Sequence, residues 1–338
     1  MISFPAQLLQ RLASLRAIED GTPRYMSGAA LAAELNVTRS AIWKAAQRLR
    51  ELGTEIEAVT RRGYRLALPS SPLATEGVLA RLRPATRTRL RDGQCVAETE
   101  STSSALLARA PPPPGNFDFL TAEHQRAGRG RRGRSWLGAP GGAVCLSWSW
   151  CYAAHAAQLS ALSLAMGVAA LRALATFGIT AAQLKWPNDL VSASGKLGGI
   201  LIEMRSEAAG PVHVVVGLGL NVALGQQARA RIGELGNAAT DLAELAGAAR
   251  LPGREQLVAA LLDEGVAALA EFGRGGLAGF LADYRAADAL DGRTVEILDG
   301  AGPARGTARG IDDDGALRVE HRGRIHRIIA GEVSVRGT

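Results

Sequence analysis

Apolar positions near the start of the chain recur at the spacing of an amphipathic helix. Leu8, Leu9, Leu12 and Leu15 follow one another at short intervals of one or three residues, which places them on one face of a helix. We expect this helix to end near Gly21, because glycine commonly follows the last turn of a helix.

Two more helices are predicted next, and each is introduced by a hydroxyl residue that can cap it. Ser27 precedes a short helix over residues 28–35, and Thr38 begins a longer helix that Gly53 ends. The longer helix has apolar residues at helical spacing, namely Ile42, Ala45, Ala46, Leu49 and Leu52.

Residues 55–68 alternate between apolar and polar positions and carry two arginines and a glycine, 61–63, at their centre. This pattern predicts a β-hairpin with a basic tip. Together with the three helices, the hairpin describes a winged helix-turn-helix, which we assign to residues 1–68. In such a domain the longer helix meets base edges and phosphates, while the hairpin reaches the neighbouring DNA backbone. The candidate DNA contacts are Ser27, Thr38, Arg39, Ser40, Trp43, Lys44, Arg61 and Arg62.

The net charge of this segment agrees with DNA binding. Residues 1–68 contain ten Arg or Lys and six Asp or Glu, a difference of +4, and phosphate binding requires a positive sign. The alternative is a winged helix that serves only for packing or for contacts with proteins.

Beyond a short linker at 69–72 the pattern changes to mixed α and β. Residues 98–110 are interpreted as a strand end, a polar turn and a helix that Ser101 or Thr102 caps. Apolar strands are predicted at 117–122, 143–150 and 212–222, and a helix is predicted over 155–177.

Residues 137–171 contain no acidic or basic side chain apart from His155, yet they include Pro140, Gly141 and Gly142. We interpret them as a buried strand followed by a buried helix, because the uninterrupted apolar part is barely long enough to cross a bilayer. No secretory signal is recognised. We therefore expect a cytoplasmic protein without a membrane partner.

The tail from about Leu290 is rich in glycine and in short alternating runs, at 294–298, 315–320 and 327–336. Such runs predict a small SH3-like β-barrel. The sequence therefore predicts an α/β (α+β) protein of three domains: 1–68, a mixed-sheet domain over 69–287, and a C-terminal barrel over 288–338.

Composition narrows the function only a little. The chain has 338 residues, a formal charge of +7 and a pI near 9.9, which favours a polyanionic partner or an anionic substrate. Cys95, Cys145 and Cys151 form no CxxC pair and have no histidine cluster beside them. A disulfide framework and a zinc site are therefore not indicated, and we expect buried, unreactive thiols.

The richest chemistry lies in residues 123–134, with the sequence Glu-His-Gln-Arg-Ala-Gly-Arg-Gly-Arg-Arg-Gly-Arg. Its glycines let the backbone approach a ligand, and its guanidinium groups are forked donors suited to phosphate or carboxylate. The alternatives are a solvated basic loop or a disordered Arg-Gly segment that binds nucleic acid. Because the run occurs once, between predicted strands, we favour a ligand loop.

Two further segments carry polar groups at strand ends. Pro187 is incompatible with a central strand and holds Trp186 extended, so Lys185, Asn188 and Asp189 are expected at the exit of a strand. A simple turn is the alternative.

The strand 195–203 begins with Lys196, which alternation places on the same face as Gly198, Ile200 and Ile202. A lysine on an inward face needs an anion, whereas the alternative is a surface lysine at a strand start. In the next strand, Gly217, Gly219 and Asn221 resemble a dinucleotide fingerprint only superficially, because its third glycine is missing. These glycines are expected to let a ligand lie against the strand.

Taken together, these motifs resemble the bifunctional biotin protein ligase and biotin-operon repressor family over nearly the whole chain. The matching segments are 100–103, Gln125 with 128–134, 185–189, 196–203 and 217–221, in family order and at similar spacing. The resemblance implies a ligase that uses ATP and biotin to make biotinyl-5′-AMP and transfers biotin to a lysine of a biotin carboxyl carrier protein of acetyl-CoA carboxylase. It also implies biotin-dependent repression at operator DNA and a ligand-promoted homodimer.

The resemblance also implies roles for single residues. Catalysis would rest on Lys196, Arg131 and Arg129, with Asp189 near the Mg²⁺ that accompanies ATP. Biotin would be bound by Ser101, Thr102, Ser103, Gln125, Gly128, Arg129, Gly130, Arg131, Lys196, Gly217 and Gly219. The nucleotide would be bound by Arg129, Arg131, Arg134, Lys185, Trp186, Asn188, Asp189, Lys196 and Asn221.

The chain departs from the family in two places. Ser103 stands where the family has Asn, and no aromatic residue occurs from Val222 to Glu271, so that Trp136 and Trp186 are the candidates for stacking on adenine. Three alternative functions remain: a ligase whose winged helix no longer binds an operator, a non-catalytic biotin-sensing regulator, and an acyl ligase acting on lipoate.

Overall fold

The N-terminal part is a winged helix-turn-helix. In the computed structural model, which describes residues 4–15, 24–71, 73–152, 159–206, 211–234, 238–247, 251–298 and 305–335, three helices precede a two-stranded hairpin. They are α1 (Phe4–Ala13), α2 (Gly28–Glu34) and α3 (Arg39–Glu51), followed by β1 (Ile56–Val59) and β2 (Gly63–Leu66). Helix α1 ends at Ala13 rather than near Gly21, and residues 16–23 lie outside the described ranges.

Both predicted caps are present. The side chains of Ser27 and Thr38 each accept a hydrogen bond from a backbone N–H three residues later, at 3.1 Å. In the wing, Gly63 has φ +109°, and a Cβ there would lie 2.1 Å from the carbonyl oxygen of Met26. Met26 forms a β-bridge with Tyr64, the residue next to this glycine. Only glycine fits this turn.

The central domain is built on a mixed sheet of seven strands, in the order β3-β4-β5-β9-β8-β7-β6. Strands β3 and β4 are parallel, and every other neighbouring pair is antiparallel. The strands are β3 (Leu90–Thr99), β4 (Phe117–Gln125), β5 (Ala143–Tyr152), β6 (Gln183–Lys185), β7 (Asp189–Ser192), β8 (Gly195–Ser206) and β9 (Val212–Asn221).

Helices cover both faces of this sheet. The domain's helices are α4 (Thr75–Leu79), α5 (Pro84–Arg87), α6 (Thr102–Leu107), α7 (Leu162–Ala175), α8 (Gln226–Glu234), α9 (Leu242–Ala246), α10 (Arg254–Gly275) and α11 (Leu281–Ala286). Helices α7 and α10 pack on one face with the main apolar core, and α6 packs on the other with Leu120 and Val215.

The apolar segment 137–171 forms β5 and α7, as predicted. Strand β5 is buried over all ten residues. Helix α7 begins at Leu162, because a short 3-10 turn precedes it, and residues 155–158 of the predicted helix lie outside the described ranges. Within those ranges, none of the helices combines the length and apolar character needed to cross a bilayer.

The C-terminal part is an antiparallel sheet in the order β13-β12-β11-β10-β14. Its strands are β10 (Thr294–Leu298), β11 (Arg305–Ile311), β12 (Leu317–His321), β13 (Arg324–Ile328) and β14 (Glu332–Val335). Its inward residues, such as Val295, Leu317 and Val319, belong to the same core as the central sheet. The predicted fold class is therefore confirmed.

The three cysteines are free thiols, as expected. Burial raises the pKa of Cys95 to about 12 and that of Cys145 to about 11, and it also raises the pKa of Cys151. Thiols with raised pKa values supply little thiolate and are unreactive.

A buried ion pair joins distant parts of the chain. The guanidinium of Arg254, at the start of α10, donates to both carboxylate oxygens of Glu123 in β4, at 2.6 and 2.8 Å. Arg254 also donates from Nε to the carbonyl oxygen of Ser71 in the linker at 3.0 Å, and Glu123 accepts from the N–H of Gly141 at 3.2 Å. The two side chains are 2% and 3% exposed, so each charge depends on the other for compensation.

The winged helix and the linker contact the central domain at Pro140 and at Gly141, and Gly141 also binds Glu123 of this pair. Thr54 donates to the carbonyl oxygen of Pro140 at 2.8 Å, and Ser70 donates to that of Gly141 at 2.9 Å. From α8, Arg231 donates to the carbonyl oxygen of Glu51, the last residue of α3, at 2.7 Å. A positive group at this end of a helix also matches its dipole.

We predict that Arg254→Met lowers the free energy of unfolding of the central domain by about 3–5 kcal/mol, because it leaves the carboxylate of Glu123 buried without a partner. Urea denaturation followed by circular dichroism measures this change. The control is Arg309→Met, which removes an exposed pair with Glu320 and should cost no more than about 1 kcal/mol. Equal losses in the two variants would contradict the prediction.

Candidate active site

One cavity collects nearly all the residues that the sequence singled out. It lies between the N-terminus of α6, the Arg-Gly loop (residues 126–135), the β6–β7 turn and strands β5, β8 and β9. Every predicted biotin- or nucleotide-binding residue lines it except Gly128. The residues are Ser101, Thr102, Ser103, Gln125, Arg129, Gly130, Arg131, Arg134, Lys185, Trp186, Asn188, Asp189, Lys196, Gly217, Gly219 and Asn221.

Hydroxyl groups form the floor of the cavity. Ser101 caps α6 by accepting from the N–H of Ser104, which places Thr102 and Ser103 in the first turn of the helix, both buried. Thr102 donates its backbone N–H to Oε1 of Gln125 at 2.8 Å, and its hydroxyl lies 3.0 Å from the same atom. Ser147 of β5, which is fully buried, lies 2.7 Å from the Thr102 hydroxyl and 2.8 Å from that of Ser103.

The Arg-Gly loop folds back on itself beside this floor. Backbone bonds from Gly130 to Arg134 (2.7 Å) and from Trp136 to Gly128 (2.9 Å) close it. A Cβ on Gly128 would lie 2.4 Å from the carbonyl oxygen of Trp136. The glycine at 128 is therefore required by backbone pairing within the loop.

The loop's arginines have different environments. Arg129 donates to Glu203 at 2.7 Å and to the hydroxyl of Ser104 at 3.1 Å. Arg131, only partly exposed, donates to Oδ1 of Asn188 in the β6–β7 turn at 3.2 Å. Arg132 is exposed and has φ +54°. Of these three, Arg131 therefore reaches across to the opposite side of the cavity.

The β6–β7 segment is a hairpin at the sheet edge rather than the exit of a single strand. Lys185 and Asp189 pair across it, and Trp186–Pro187 is a cis peptide in its turn. Trp186 is buried and donates its indole N–H to the carbonyl oxygen of Gly315 at 3.0 Å. It thereby fastens the hairpin to the C-terminal domain and is poorly exposed for stacking.

Lys196 donates to Oδ1 of Asp189 at 2.7 Å, with both side chains about a quarter exposed. The predicted face for Lys196 was wrong. The register between β7 and β8 shifts by one residue after Lys196, since Val191 pairs with Lys196 but Leu190 pairs with Gly198. This bulge reverses the alternation, so that Lys196 shares the cavity face with Gly199, while Ile200 joins the core.

The glycines of β9 make room for protein side chains. A Cβ on Gly217 would lie 2.4 Å from the hydroxyl of Ser103, and one on Gly219 would lie 2.1 Å from the ring of Trp136. Asn221 donates to the carbonyl oxygens of Lys196 (3.3 Å) and Thr240 (3.0 Å). It therefore fixes the start of β8, where Lys196 lies.

Several lining residues were not predicted from the sequence. Ser147 gave no signal, because a single serine in an apolar strand is common. Ile232 of α8 and Val333 of β14 reach the cavity from distant parts of the chain. The absence of aromatic residues after Asn221 excluded an aromatic lid from that segment but did not predict the contact that Ile232 makes.

The charge of the cavity lining is strongly positive. Five cationic side chains, at 129, 131, 134, 185 and 196, line it, and Asp189 is the one carboxylate among its described lining residues. Within the described ranges, no group of three or more His, Cys, Asp or Glu is arranged to hold a metal ion. The site is therefore suited to anions that carry more than one charge.

The predicted DNA-binding residues are exposed on the winged helix. In α3, Ile42, Ala45, Ala46 and Leu49 are buried, whereas Arg39, Ser40, Trp43 and Lys44 are exposed and Trp43 is 53% exposed. At the wing, Arg61 and Arg62 are exposed, and the guanidinium of Arg62 lies 4.4 Å from the ring centre of Tyr25. Ser27 and Thr38, which are also exposed, serve as the caps of α2 and α3.

Comparison with known families accounts for all three parts of the chain. An HTH domain model matches residues 11–65, the model of the Biotin/lipoate A/B protein ligase family matches 96–221, and the Biotin protein ligase C terminal domain matches 292–336.

Relatives match over most of their length. The bifunctional ligase/repressor BirA of Escherichia coli (strain K12) is 33% identical over 322 residues, which cover 92% of this chain and 93% of that protein. The biotin–[acetyl-CoA-carboxylase] ligase of Mycobacterium tuberculosis is 37% identical over 255 residues, covering 70% and 86%. The solved structure of a biotin protein ligase from Aquifex aeolicus in complex with biotin and ATP is 25% identical, with a TM-score of 0.60, over 73% of this chain and 100% of that one.

Proposed function

This chain belongs to the family of biotin protein ligases that includes the bifunctional ligase/repressor BirA, and from this membership we propose that its cavity joins biotin and ATP as biotinyl-5′-AMP. The enzyme then transfers biotin to a lysine of a biotin carboxyl carrier protein. One observation carries the proposal: a buried hydroxyl floor and five cationic side chains line the same cavity.

The two ends of the cavity suit the two substrates. The hydroxyls of Thr102, Ser103 and Ser147 offer neutral hydrogen-bonding groups for the ureido head of biotin. Lys196 and Arg131 lie on the β6–β7 side, where they meet the biotin carboxylate and the α-phosphate of ATP. Trp136 is partly exposed and lies over Gly219, which makes it the better candidate to contact adenine.

In the first step a carboxylate oxygen of biotin attacks the α-phosphorus of ATP, and pyrophosphate leaves. Two anions must approach each other, so the principal task of the protein is to place positive charge between them. Lys196 and Arg131 supply this charge, while Asp189 and Asn188 hold their head groups at 2.7 and 3.2 Å. No covalent enzyme intermediate is required, and the rate comes from positioning and charge neutralisation.

In the second step the amine of a carrier lysine attacks the acyl carbon of the mixed anhydride, and AMP leaves. Between the two steps the adenylate has to be retained. The Arg-Gly loop covers this side of the cavity, and Arg131 spans from the loop to Asn188.

Magnesium fits this site only in part. Asp189 is the one carboxylate among the described lining residues, and one of its oxygens already accepts from Lys196. Mg²⁺ commonly binds through one or two carboxylates together with substrate phosphates. Asp189 would therefore be its protein ligand, and the ion would shield the charge of the phosphates.

We further propose that the exposed surface of α3 and the wing binds operator DNA and that the chain acts as a biotin-dependent repressor. Arg39, Ser40 and Lys44 lie on the exposed face of α3, and Arg61 lies at the tip of the wing. Ligand-promoted pairing of two chains would strengthen binding, because each partner adds a second DNA contact.

The proposed ligase function predicts that Lys196→Ala retains the fold but lowers the rate of adenylate formation by at least about 100-fold, since it removes charge from the reacting phosphate. The assay follows labelled pyrophosphate release with biotin, ATP and Mg²⁺, and mass measurement of a carrier domain follows the complete reaction. Lys44→Ala is the matched control, because Lys44 is an exposed lysine on α3. Near wild-type rates in Lys196→Ala would overturn the site assignment.

Arg131→Gly should release the adenylate prematurely. Losing one charge-assisted contact of about 2–3 kcal/mol speeds release by roughly 30- to 160-fold, and the free adenylate then acylates nearby amines. Biotin labelling of added serum albumin, in proportion to its concentration, measures the leak. Arg132→Gly is the control, because Arg132 is exposed and its positive φ suits glycine. Equal labelling by the two variants would show that Arg131 does not cover the ligand.

DNA binding should weaken steeply with salt and strengthen when biotinyl-5′-AMP is bound, because phosphate contacts release counterions and the ligand favours paired chains. Fluorescence anisotropy on a labelled promoter of biotin-synthesis genes tests both effects. Lys44→Ala should lower affinity and reduce the salt slope by about one unit, while its ligase rate stays unchanged. Absence of any ligand-dependent shift would favour a ligase without operator binding.

A further inference from the structure

Ser147 lies at the centre of a chain of four polar groups on the cavity floor. Its hydroxyl is within 2.7 Å of that of Thr102 and within 2.8 Å of that of Ser103. Thr102 in turn reaches Oε1 of Gln125 at 3.0 Å. Ser147 is 0% exposed, and Thr102 and Ser103 are 3% and 5% exposed. The three hydroxyl groups are thus shielded from bulk water, and their hydrogen bonds must be made to one another or to Gln125.

The direction of every hydrogen bond in this chain follows from one fixed end. The backbone N–H of Thr102 points at the side-chain amide of Gln125 at 2.8 Å, so the atom it meets is the amide oxygen, which can only accept. The hydroxyl of Thr102 lies 3.0 Å from the same oxygen. Its single proton must therefore be donated to that oxygen.

The remaining protons are then fixed in turn, because each hydroxyl has one proton. Ser147 must donate to Thr102, whose proton is already engaged. Ser103 must donate to Ser147 for the same reason. None of the three hydroxyls has a proton left for a ligand, and all three can meet it only as acceptors.

We propose that Ser147 is a positioning residue that fixes these protons and thereby makes the cavity floor specific for a head group with N–H donors, such as a cyclic urea. This inference rests on the proposed function and deepens it, because it names what selects the substrate. A dithiolane ring, as in lipoate, has no N–H to offer. It would leave the buried oxygen of Ser103, which accepts from no other hydroxyl of the chain, without a donor, and this is costly.

Gly217 completes the arrangement. A Cβ at this position would lie 2.4 Å from the hydroxyl oxygen of Ser103, which is too close for any side chain. The absence of a side chain at 217 is what allows Ser103 to reach Ser147.

The test compares two ligands on the full-length protein. One is biotin, and the other is an analogue in which oxygen replaces the ureido N–H that faces the floor, so that the ring is a cyclic carbamate. Wild-type protein should bind biotin at least about 30-fold more tightly, since the analogue sets oxygen against oxygen. In Ser147→Ala the proton of Ser103 is released and can turn to the analogue. The ratio of the two dissociation constants should then fall to about 3-fold or less, measured by isothermal titration.

The matched control is Ser149→Ala. Ser149 lies two residues along β5, is equally buried, and contacts Asp118 outside the cavity. The ratio of the two dissociation constants measured for Ser149→Ala should equal that of the wild type. Ser147→Thr retains a hydroxyl proton and should also retain the ratio. Gly217→Ala pushes Ser103 away from Ser147 and should lower the ratio, which provides a second route if Ser147→Ala does not fold.

Each result decides the proposal. A fall in the ratio for Ser147→Ala or Gly217→Ala, but not for Ser149→Ala, supports it. An unchanged ratio in both cavity variants overturns it, even if both ligands bind more weakly, because that result indicates packing alone. A wild-type protein that fails to bind biotin would instead remove the proposed function itself.

Discussion

The buried ion pair between Arg254 and Glu123 is the constraint on which the positions of the other parts depend. Glu123 lies two residues before Gln125, and Gly141, which donates to Glu123, lies shortly after the Arg-Gly loop ends. Both ends of the loop are therefore fixed to one charged group. Arg254 also donates to the linker at Ser71, so that the winged helix is attached at the same point. The cost of burying two charges is offset only when every one of these hydrogen bonds is made, which favours a single arrangement of loop, linker and helix.

Most of the site could be predicted from the sequence because its motifs are local. A run of glycines and arginines predicts a ligand loop whatever the position of the run in the fold. A residue followed by proline, as at Trp186–Pro187, predicts a break in a strand. The face of Lys196 was predicted wrongly because a one-residue bulge between β7 and β8 has no signature in composition. Gly217 and Gly219, which were expected to let a ligand lie against the strand, line the cavity, and they also make room for Ser103 and Trp136. The sequence showed that positions 217 and 219 need glycine. It did not show which side chains fill the space beside them, because Ser103 and Trp136 come from other parts of the chain.

The winged helix was the easiest part to predict, since caps and helical periodicity are properties of neighbouring residues. Ser27 and Thr38 cap the helices as expected. The contacts that attach this domain to the rest were not predicted, because each one involves an ordinary residue such as Thr54 or Arg231. The same applies to Ile232 and Val333, which reach the cavity from elements that are distant in sequence. Long-range contacts of this kind are set by topology, and a single sequence has no pattern that reports them.

Three of the side-chain contacts that attach the winged helix and its linker to the central domain share one property. Thr54, Ser70 and Arg231 all donate to main-chain carbonyl oxygens, at Pro140, Gly141 and Glu51. A main-chain carbonyl is present whatever side chain the residue carries. The residue at 51, at the end of α3, can therefore be exchanged without losing the acceptor for Arg231. An attachment of this kind fixes the backbone of α3 at its C-terminal end and places no demand on the side chain there.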